Sequence, residues 1–246
     1  MDNALRLLGL LGEHQVLRVS EAADELGVAR STAHRLLAAL RQRGFVIQDR
    51  PNGAYRSGPA LNEIGIAAIG RIDVRRIAAP ILEELRNATG ETASLTLLEG
   101  NLVRFHDCVE SPRAVRVGDR TGVVLPAHCT AGGKAILAGL EPHDLERRYP
   151  TRSLDGRTPS SVTTWQELTE ELESIRERGY ALNFEEGETG ICAVATAIPD
   201  LAGTPLAAIA VVVPASRMPG IPEAEALAPH LITARENIKQ RLHAAL

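Results

Sequence analysis

Residues 18–58 constrain the fold of this 246-residue chain more than any other stretch. They read RVSEAADELGVARSTAHRLLAALRQRGFVIQDRPNGAYRSG, which predicts two short helices joined by a tight turn and followed by a β-hairpin. Ser20 is expected to N-cap the first helix, and Gly27 permits the left-handed turn after it. Gly44 is expected to end the second helix. This order of elements is typical of a winged helix-turn-helix, whose second helix enters the major groove of DNA.

The second helix separates its residues into an apolar and a polar face. Its apolar stripe follows helical spacing and is expected to face the core: Ala33, Leu36, Leu37 and Leu40. Its opposite face carries the candidate DNA contacts Arg30, Ser31, Thr32, His34, Arg35 and Arg41. In the hairpin, an Asn-Gly turn signal predicts the wing, and its candidate contacts to phosphates or the minor groove are Arg50, Asn52 and Arg56.

The charge of this segment supports DNA binding but does not require it. Residues 18–58 hold seven arginines and four acids, a net charge of +3 within a chain of −4. Such a patch attracts phosphate only weakly, so two copies are expected to act together. Two alternatives stay open, namely ordinary surface helices and a winged helix used as a protein-interaction module. The wing and the group of arginines favour DNA.

Length and composition predict two domains and a connection between them. We expect a DNA-binding domain at 1–58, a linker helix at 59–71 and a second domain at 72–246. The linker is too apolar for a flexible connection, so it is expected to pack against its own copy in a dimer or onto the second domain. We expect a cytoplasmic protein without a membrane contact, because neither a signal peptide nor an apolar run of ~20 residues is present. The three cysteines are expected to be reduced thiols.

Helical and strand patterns alternate after residue 72. Helices are predicted at 74–88, 130–140, 165–178 and 223–245, and strands at 93–98, 102–109, 115–117, 193–198 and 206–213. Two of the strand pairs read as hairpins, across residues 99–101 and across a turn at Gly203. Hairpins with helices between them predict an α+β domain, an antiparallel sheet flanked by helices.

Four stretches of the chain resemble the IclR (isocitrate lyase regulator) family of bacterial transcription factors. They are RSTAHRLLAAL at 30–40, GFVIQD at 44–49, LPAHCTAGGKAILAGL at 125–140 and ALNFEEGETGICAVATAIPD at 181–200. The resemblance implies an N-terminal winged helix, a linker helix and a GAF-like or profilin-like C-terminal domain. It also implies dimers or tetramers on palindromic double-stranded DNA, with a small organic effector altering DNA binding. Neither a cofactor nor a metal is expected.

The resemblance also implies an effector site at the turn Thr130-Ala131-Gly132-Gly133-Lys134. The free N–H groups of a helix start favour a carboxylate, and small residues leave those groups accessible. Residues expected to contact the effector are Leu125, His128, Ala131, Gly132, Asn183, Glu185, Ile191, Cys192, Ala193, Ala210 and Val212. Several relatives place an Asp and two Ser where this chain has Asn183, Ala210 and Val212. We therefore expect a less polar effector, such as an aromatic acid or a lactone-like compound, rather than glyoxylate or pyruvate.

Other interpretations of these residues are open at this point. The two glycines after Ala131 serve equally well for close packing of a helix on a sheet. Lys134 reads more readily as a structural cation than as a ligand contact. His128-Cys129 suggests a thiol nucleophile, and together with His106 and Cys108 it suggests a zinc site, although the spacing matches no short metal motif. We expect a regulator and not an enzyme.

Overall fold

The computed structural model describes residues 2–13, 16–48, 53–200 and 203–244, with the side chains of residues 2, 12, 13 and 62–73 left out. The chain divides into two compact units, Met1–Ile69 and Gly70–Leu246. Within the described ranges, no helix is long and apolar enough to cross a membrane.

The first unit is a winged helix-turn-helix. Its elements are α1 (Asp2–Glu13), α2 (Val19–Leu26), α3 (Arg30–Gln42), β1 (Val46–Gln48) and β2 (Tyr55–Ser57). β1 and β2 pair antiparallel, and Leu17 forms a further bridge to Tyr55. Gly27 and Gly44 both adopt a positive φ, +65° and +74°, as the turn and the helix end require. The predicted order of elements is confirmed.

One detail of α2 differs from the prediction. Ser20 lies inside the helix, and Arg18 occupies the N-cap position. The backbone N–H of Arg18 donates to the carboxylate of Glu21 at 2.7 Å. A carboxylate three residues after the cap satisfies the N-cap amide, so the helix begins two residues earlier than a Ser20 cap indicates.

The second unit is an antiparallel sheet between two layers of helices. Its strands are β3 (Thr92–Glu99), β4 (Leu102–Val109), β5 (Val124–Pro126), β6 (Ala181–Phe184), β7 (Ile191–Pro199) and β8 (Pro205–Pro214). The sheet order is β5-β4-β3-β8-β7-β6, and each neighbouring pair is antiparallel. Its helices are the part of α4 (Pro59–Thr89) that follows Ile69, α5 (Ala131–Ala138), α6 (Pro142–Arg148), α7 (Trp165–Arg178) and α8 (Ile221–Ala244).

Strand alternation divides the core into two layers. In β8, Ala208, Ala210 and Val212 join the core that contains α5 and α7. Ile209 and Val211 join the opposite core, with residues of α8 and the C-terminal part of α4. Successive side chains of a strand point to opposite faces, so both faces of the sheet are covered and the strand is apolar throughout.

Several predicted boundaries differ from the observed elements. Residues 115–117 are not a strand, because β5 takes the position beside β4 and leaves Val115 67 % exposed. The helix predicted at 130–140 spans Ala131–Ala138, after Thr130 caps it. The helices predicted separately at 59–71 and 74–88 form one helix, since residues 72–73 include no glycine or proline to end it.

Candidate functional site

The exposed start of α3 is the first candidate site. Arg30, Ser31, Thr32, His34 and Arg35 are all exposed, while Ala33 and Leu37 of the same helix are buried. The N-cap residue, Ala29, supplies no side-chain hydrogen bond to the helix start. The first backbone N–H groups of a helix have no partner within it, and their positive end attracts anions.

The wing has a different arrangement from the helix start. The Arg41 guanidinium donates to Gln48 of β1 at 2.9 Å, and the Gln48 amide donates to the Gly53 carbonyl at 2.8 Å. Arg41 therefore connects α3 to the wing, in addition to being exposed. Arg56 is exposed on β2. The two other predicted wing contacts, Arg50 and Asn52, lie outside the described residues.

Helix α5 organises the second candidate site, in the sheet unit. All eight of its residues are buried, and the Thr130 hydroxyl caps it by accepting from the Gly133 N–H at 3.0 Å. A Cβ added to Gly132 would lie 2.5 Å from the Thr96 hydroxyl, and one added to Gly133 would lie 2.2 Å from the Ala127 carbonyl. Close packing against the sheet and the preceding turn thus accounts for both glycines.

A small cavity lies between the start of α5 and the sheet. Its floor is apolar and comes from alternate positions of two strands, Ala193 of β7 with Ala210 and Val212 of β8. Ala131 and Gly132 bring the helix start to the other side. The cavity therefore combines an apolar surface with the N–H groups of a helix terminus.

Two charged residues line the cavity, and they come from loops that are distant in the sequence. Arg120 precedes β5, and Glu188 lies between β6 and β7. Arg120 Nη1 donates to Glu188 Oε1 at 3.1 Å, and Nη2 donates to Oε2. The Arg120 guanidinium also lies 6.0 Å from the centre of the Phe105 ring, which lines the same cavity.

A buried ion pair joins α5 to the loop after β6. Lys134 Nζ donates to Glu186 Oε1 at 2.7 Å and lies 3.6 Å from Glu171 Oε1. The lysine side chain is 2 % exposed. Burial raises the pKa of Glu186, and the Lys134 ammonium opposes that rise. Lys134 thus has the structural role that the sequence favours.

Two family models match this chain and together span most of it. The model described as bacterial transcriptional regulator IclR C-terminal matches residues 66–240, and the IclR helix-turn-helix domain matches residues 1–50. The chain belongs to the IclR family of transcriptional regulators. The resemblance carried by its four sequence motifs is confirmed.

Individual IclR-family proteins support the same assignment. The HTH-type transcriptional regulator BhcR of Paracoccus denitrificans is 37 % identical over 218 residues, covering 89 % of this chain and 78 % of that protein. The crystal structure of IclR from Thermotoga maritima is 30 % identical with a TM-score of 0.66, covering 98 % of this chain and 97 % of that one. An IclR homologue complexed with 4-hydroxybenzoate, from Microbacterium hydrocarbonoxydans, shares the fold at 24 % identity and a TM-score of 0.63, covering 98 % and 99 % of the two chains.

Most of the predicted effector residues of this IclR-family chain lie around the cavity. Eight line it: Leu125, Ala131, Gly132, Asn183, Ile191, Ala193, Ala210 and Val212. Asn183 has structural partners as well, because its amide donates to the Cys129 carbonyl at 2.8 Å and accepts from the Glu186 N–H at 3.3 Å.

Three predicted residues lie elsewhere. Cys192 belongs to the opposite core, because it alternates with two cavity residues along β7. His128 Nε2 bonds the Asp155 carbonyl at 3.1 Å, and burial lowers the pKa of its imidazole. Glu185, with φ +62°, accepts from the Gly190 N–H at 2.6 Å within its own loop.

Several cavity residues were missed by the sequence analysis. They are Thr96, Phe105, Arg120, Cys129, Thr130, Gly187 and Glu188. Thr130 belongs to the predicted turn and Cys129 directly precedes it, so a wider choice of contact residues at this turn would have included both. Thr96 lies on β3, which is buried on both faces, so its pattern does not say which side faces the cavity. Arg120 and Glu188 are 68 residues apart and have no local signal.

The geometry of His128 and Cys129 differs from that of a catalytic pair. The thiol lies 3.7 Å from the Asp155 carbonyl, the same oxygen that the imidazole contacts. Burial raises the pKa of the Cys129 thiol, which favours its unreactive protonated form. Across the described residues, no group of three or more His, Cys, Asp or Glu side chains is placed to hold a metal ion.

Proposed function

We propose that this IclR-family chain is a ligand-responsive transcriptional regulator that reads DNA through α3. The observation that carries the proposal is the exposed row of polar side chains at the start of α3, above a buried apolar stripe. Arg30, Ser31, Thr32, His34 and Arg35 contact base edges or nearby phosphates in this proposal. An arginine that bonds a guanine edge contributes about 1–3 kcal/mol of discrimination.

Phosphate contacts fix the position of the helix on DNA. The backbone N–H groups of the first residues after Ala29 donate to a phosphate in this proposal, since no side chain caps them. Arg41 orients the wing through Gln48, and Arg56 on β2 contacts the DNA backbone. Arg50 and Asn52 complete the wing contacts. The net charge of +3 in residues 18–58 of each copy makes paired copies on a palindromic site the expected form, as a dimer or tetramer.

The cavity beside α5 receives the effector, which we infer to be a small organic acid with an apolar body. Apolar side chains at Ala193, Ala210 and Val212 surround that body, while the α5 N–H groups face an acceptor oxygen. Glyoxylate and pyruvate lack such a body. Calorimetry with 4-hydroxybenzoate, the compound in the Microbacterium structure, against glyoxylate and pyruvate tests this preference. Tight binding of the two small acids, without binding of the aromatic acid, would contradict it.

Effector binding changes DNA binding by favouring one arrangement of paired winged helices over another. A coupling of this kind is typically about 1–3 kcal/mol. We propose that residues 59–71, within α4, transmit the bias; the side chains of 62–71 lie outside the described residues. No catalytic step is part of this function, because the imidazole and thiol that a nucleophilic mechanism needs both contact one backbone carbonyl.

Fluorescence anisotropy tests DNA binding directly. The full chain is titrated against duplex DNA from upstream of its own gene, at low and near-physiological salt, with excess scrambled competitor. Arg35→Ala is expected to weaken specific binding by about 1–3 kcal/mol, or roughly 5- to 150-fold. Arg6→Ala is the control, because it removes one positive charge from α1, where the guanidinium donates to the Glu25 carbonyl at 3.1 Å.

The outcomes separate three situations. Saturable binding that survives competitor and is lost in Arg35→Ala supports the proposal. DNA binding that is lost equally on the target and on the scrambled competitor indicates a generic basic patch. Wild-type affinity in Arg35→Ala would show that α3 is not the recognition helix.

A further inference from the structure

The effector cavity is small in this structure. Its free volume is about 40 Å³. A groove of about 410 Å³ lies outside it, lined by Val115, Gly118 and Pro214 among others. Both spaces share Arg120, Glu188 and Ile191 as lining residues. An organic acid therefore needs this shared wall to open.

A bidentate ion pair joins the two loops that form this wall. Arg120 and Glu188 are the only charged side chains among the described residues that line the cavity. Their exposures differ, since the arginine side chain is 15 % exposed and the glutamate side chain 38 %. The arginine also contacts the Phe105 ring. Glu188 is thus the partner that can turn toward water and the outer groove.

The charge of a ligand decides whether opening this wall is favourable. A neutral ligand that separates the pair leaves a largely buried guanidinium without a counter-charge, which is strongly unfavourable. A cation pairs with Glu188 and leaves the same guanidinium unpaired. An anionic ligand replaces the Glu188 carboxylate on Arg120, and a carboxylate reproduces the bidentate geometry that the guanidinium fork prefers.

We propose that Arg120 is the residue that recognises the carboxylate of the effector, and that Glu188 occupies its place until an anionic effector displaces it. This inference rests on the proposed function, namely that the cavity binds an organic acid. The carboxylate then lies at the mouth of the cavity and the apolar body against Ala193, Ala210 and Val212. The α5 N–H groups remain for a second acceptor oxygen of the effector.

Glu188→Gln tests the exchange, because it keeps the side-chain shape and removes the competing charge. Isothermal titration calorimetry on the full chain uses benzoate and its neutral isostere benzamide as probes. We expect benzoate to bind at least tenfold tighter to Glu188→Gln than to wild type, and benzamide to change by less than twofold. The double variant Arg120→Gln/Glu188→Gln is expected to lose the gain.

Glu99→Gln is the matched control. Glu99 forms a similar bidentate pair with Arg104 at 2.9 Å in the same unit, away from the cavity lining. It is expected to leave benzoate affinity unchanged. Circular dichroism checks folding, and Glu188→Ala replaces the glutamine variant if that variant does not fold.

Three results would overturn the proposal. The first is no gain in benzoate affinity in Glu188→Gln, including no binding in any variant. The second is an equal gain for benzamide, which indicates a loosened loop. The third is a gain that persists without Arg120. DNA titration of the wild-type chain without ligand keeps the two proposals separate, because absence of specific DNA binding there counts against the regulator function and leaves the benzoate result unaffected.

Discussion

Lys134→Met is expected to destabilise the sheet unit by about 3–5 kcal/mol, the usual cost of removing one partner from a buried ion pair. Methionine keeps the length of the lysine and removes its charge. The side chains of Lys134 and Glu186 are only 2 % and 11 % exposed, so water replaces little of the lost interaction. Glu186 Oε2 already has no hydrogen-bond partner among the described residues. Glu171 cannot compensate, because it is also an acid.

The size of the effect depends on pH in a defined direction. Burial raises the pKa of Glu186, and removing Lys134 takes away the influence that lowers it. In the variant, the folded pKa of Glu186 lies further above its unfolded value. Stability from such a carboxyl group is full below the unfolded pKa and is lost as pH rises through the folded pKa. The cost is therefore larger at pH 7.5 than at pH 5.

Trp165 is the one tryptophan of the chain and belongs to the sheet unit, with its ring 5.8 Å from that of Tyr149. Its fluorescence during urea or thermal unfolding reports on that unit. A loss of about 3–5 kcal/mol corresponds to a lower Tm by roughly 6–20 °C for a unit of this size. Lys134→Met/Glu186→Met is expected to recover most of the loss, because apolar residues replace a buried pair at little cost.

Arg147→Met is the control for this experiment. It removes the cation of an ion pair with Asp144 in which the arginine side chain is 73 % exposed, so it is expected to cost less than about 1 kcal/mol. A Lys134→Met cost below 1 kcal/mol, or a double variant less stable than the single one, would refute the reasoning.

Two further substitutions test the packing around α5 and the turn before it. Gly133→Ala is expected to cost at least about 1–3 kcal/mol, because its Cβ would lie 2.2 Å from the Ala127 carbonyl. Gly9→Ala, with nothing within 4 Å, is expected to stabilise its helix by about 0.5–1 kcal/mol in thermal circular dichroism, and equal effects at the two sites would contradict this. Burial lowers the pKa of His128 below its unfolded value, so its contribution to stability is present above that value and lost as pH falls through the folded pKa. His128→Asn should therefore lose less Tm than wild type between pH 7.5 and pH 5.5, measured by tryptophan fluorescence, and parallel losses would show that folding does not lower the pKa of His128.

Local patterns predicted the elements well where one residue type has one structural meaning. Gly27, Gly44 and Gly179 end helices with a positive φ, as expected from sequence. Helix α7 was predicted with its observed bounds, and Gly179 ends it. In the structure, Thr164 and Glu167 form a capping box at its start. Ser20 misled the prediction of α2, since a carboxylate three residues after Arg18 competed for the same role.

The candidate effector site was only partly accessible from sequence. The sequence motifs predict the residues on its α5 side, and the alternation of side chains along the strands accounts for much of its floor on the sheet. Choosing Ile191, Cys192 and Ala193 together was inconsistent with strand geometry, because adjacent residues face opposite sides. The predicted strand at 115–117 failed for another reason, namely that strand pairing depends on which segment reaches the edge of β4.

The sequence by itself determined the family, the winged helix, the antiparallel α+β unit and the turn that begins α5. These features depend on interactions between residues a few positions apart, which periodicity, caps and turn residues encode directly. Tertiary structure alone decided that Arg120 meets Glu188, that Lys134 meets Glu186, and that the cavity is small. Those contacts join residues 68 and 52 positions apart, and the free energy of such pairs depends on the burial that the assembled sheet and helices create.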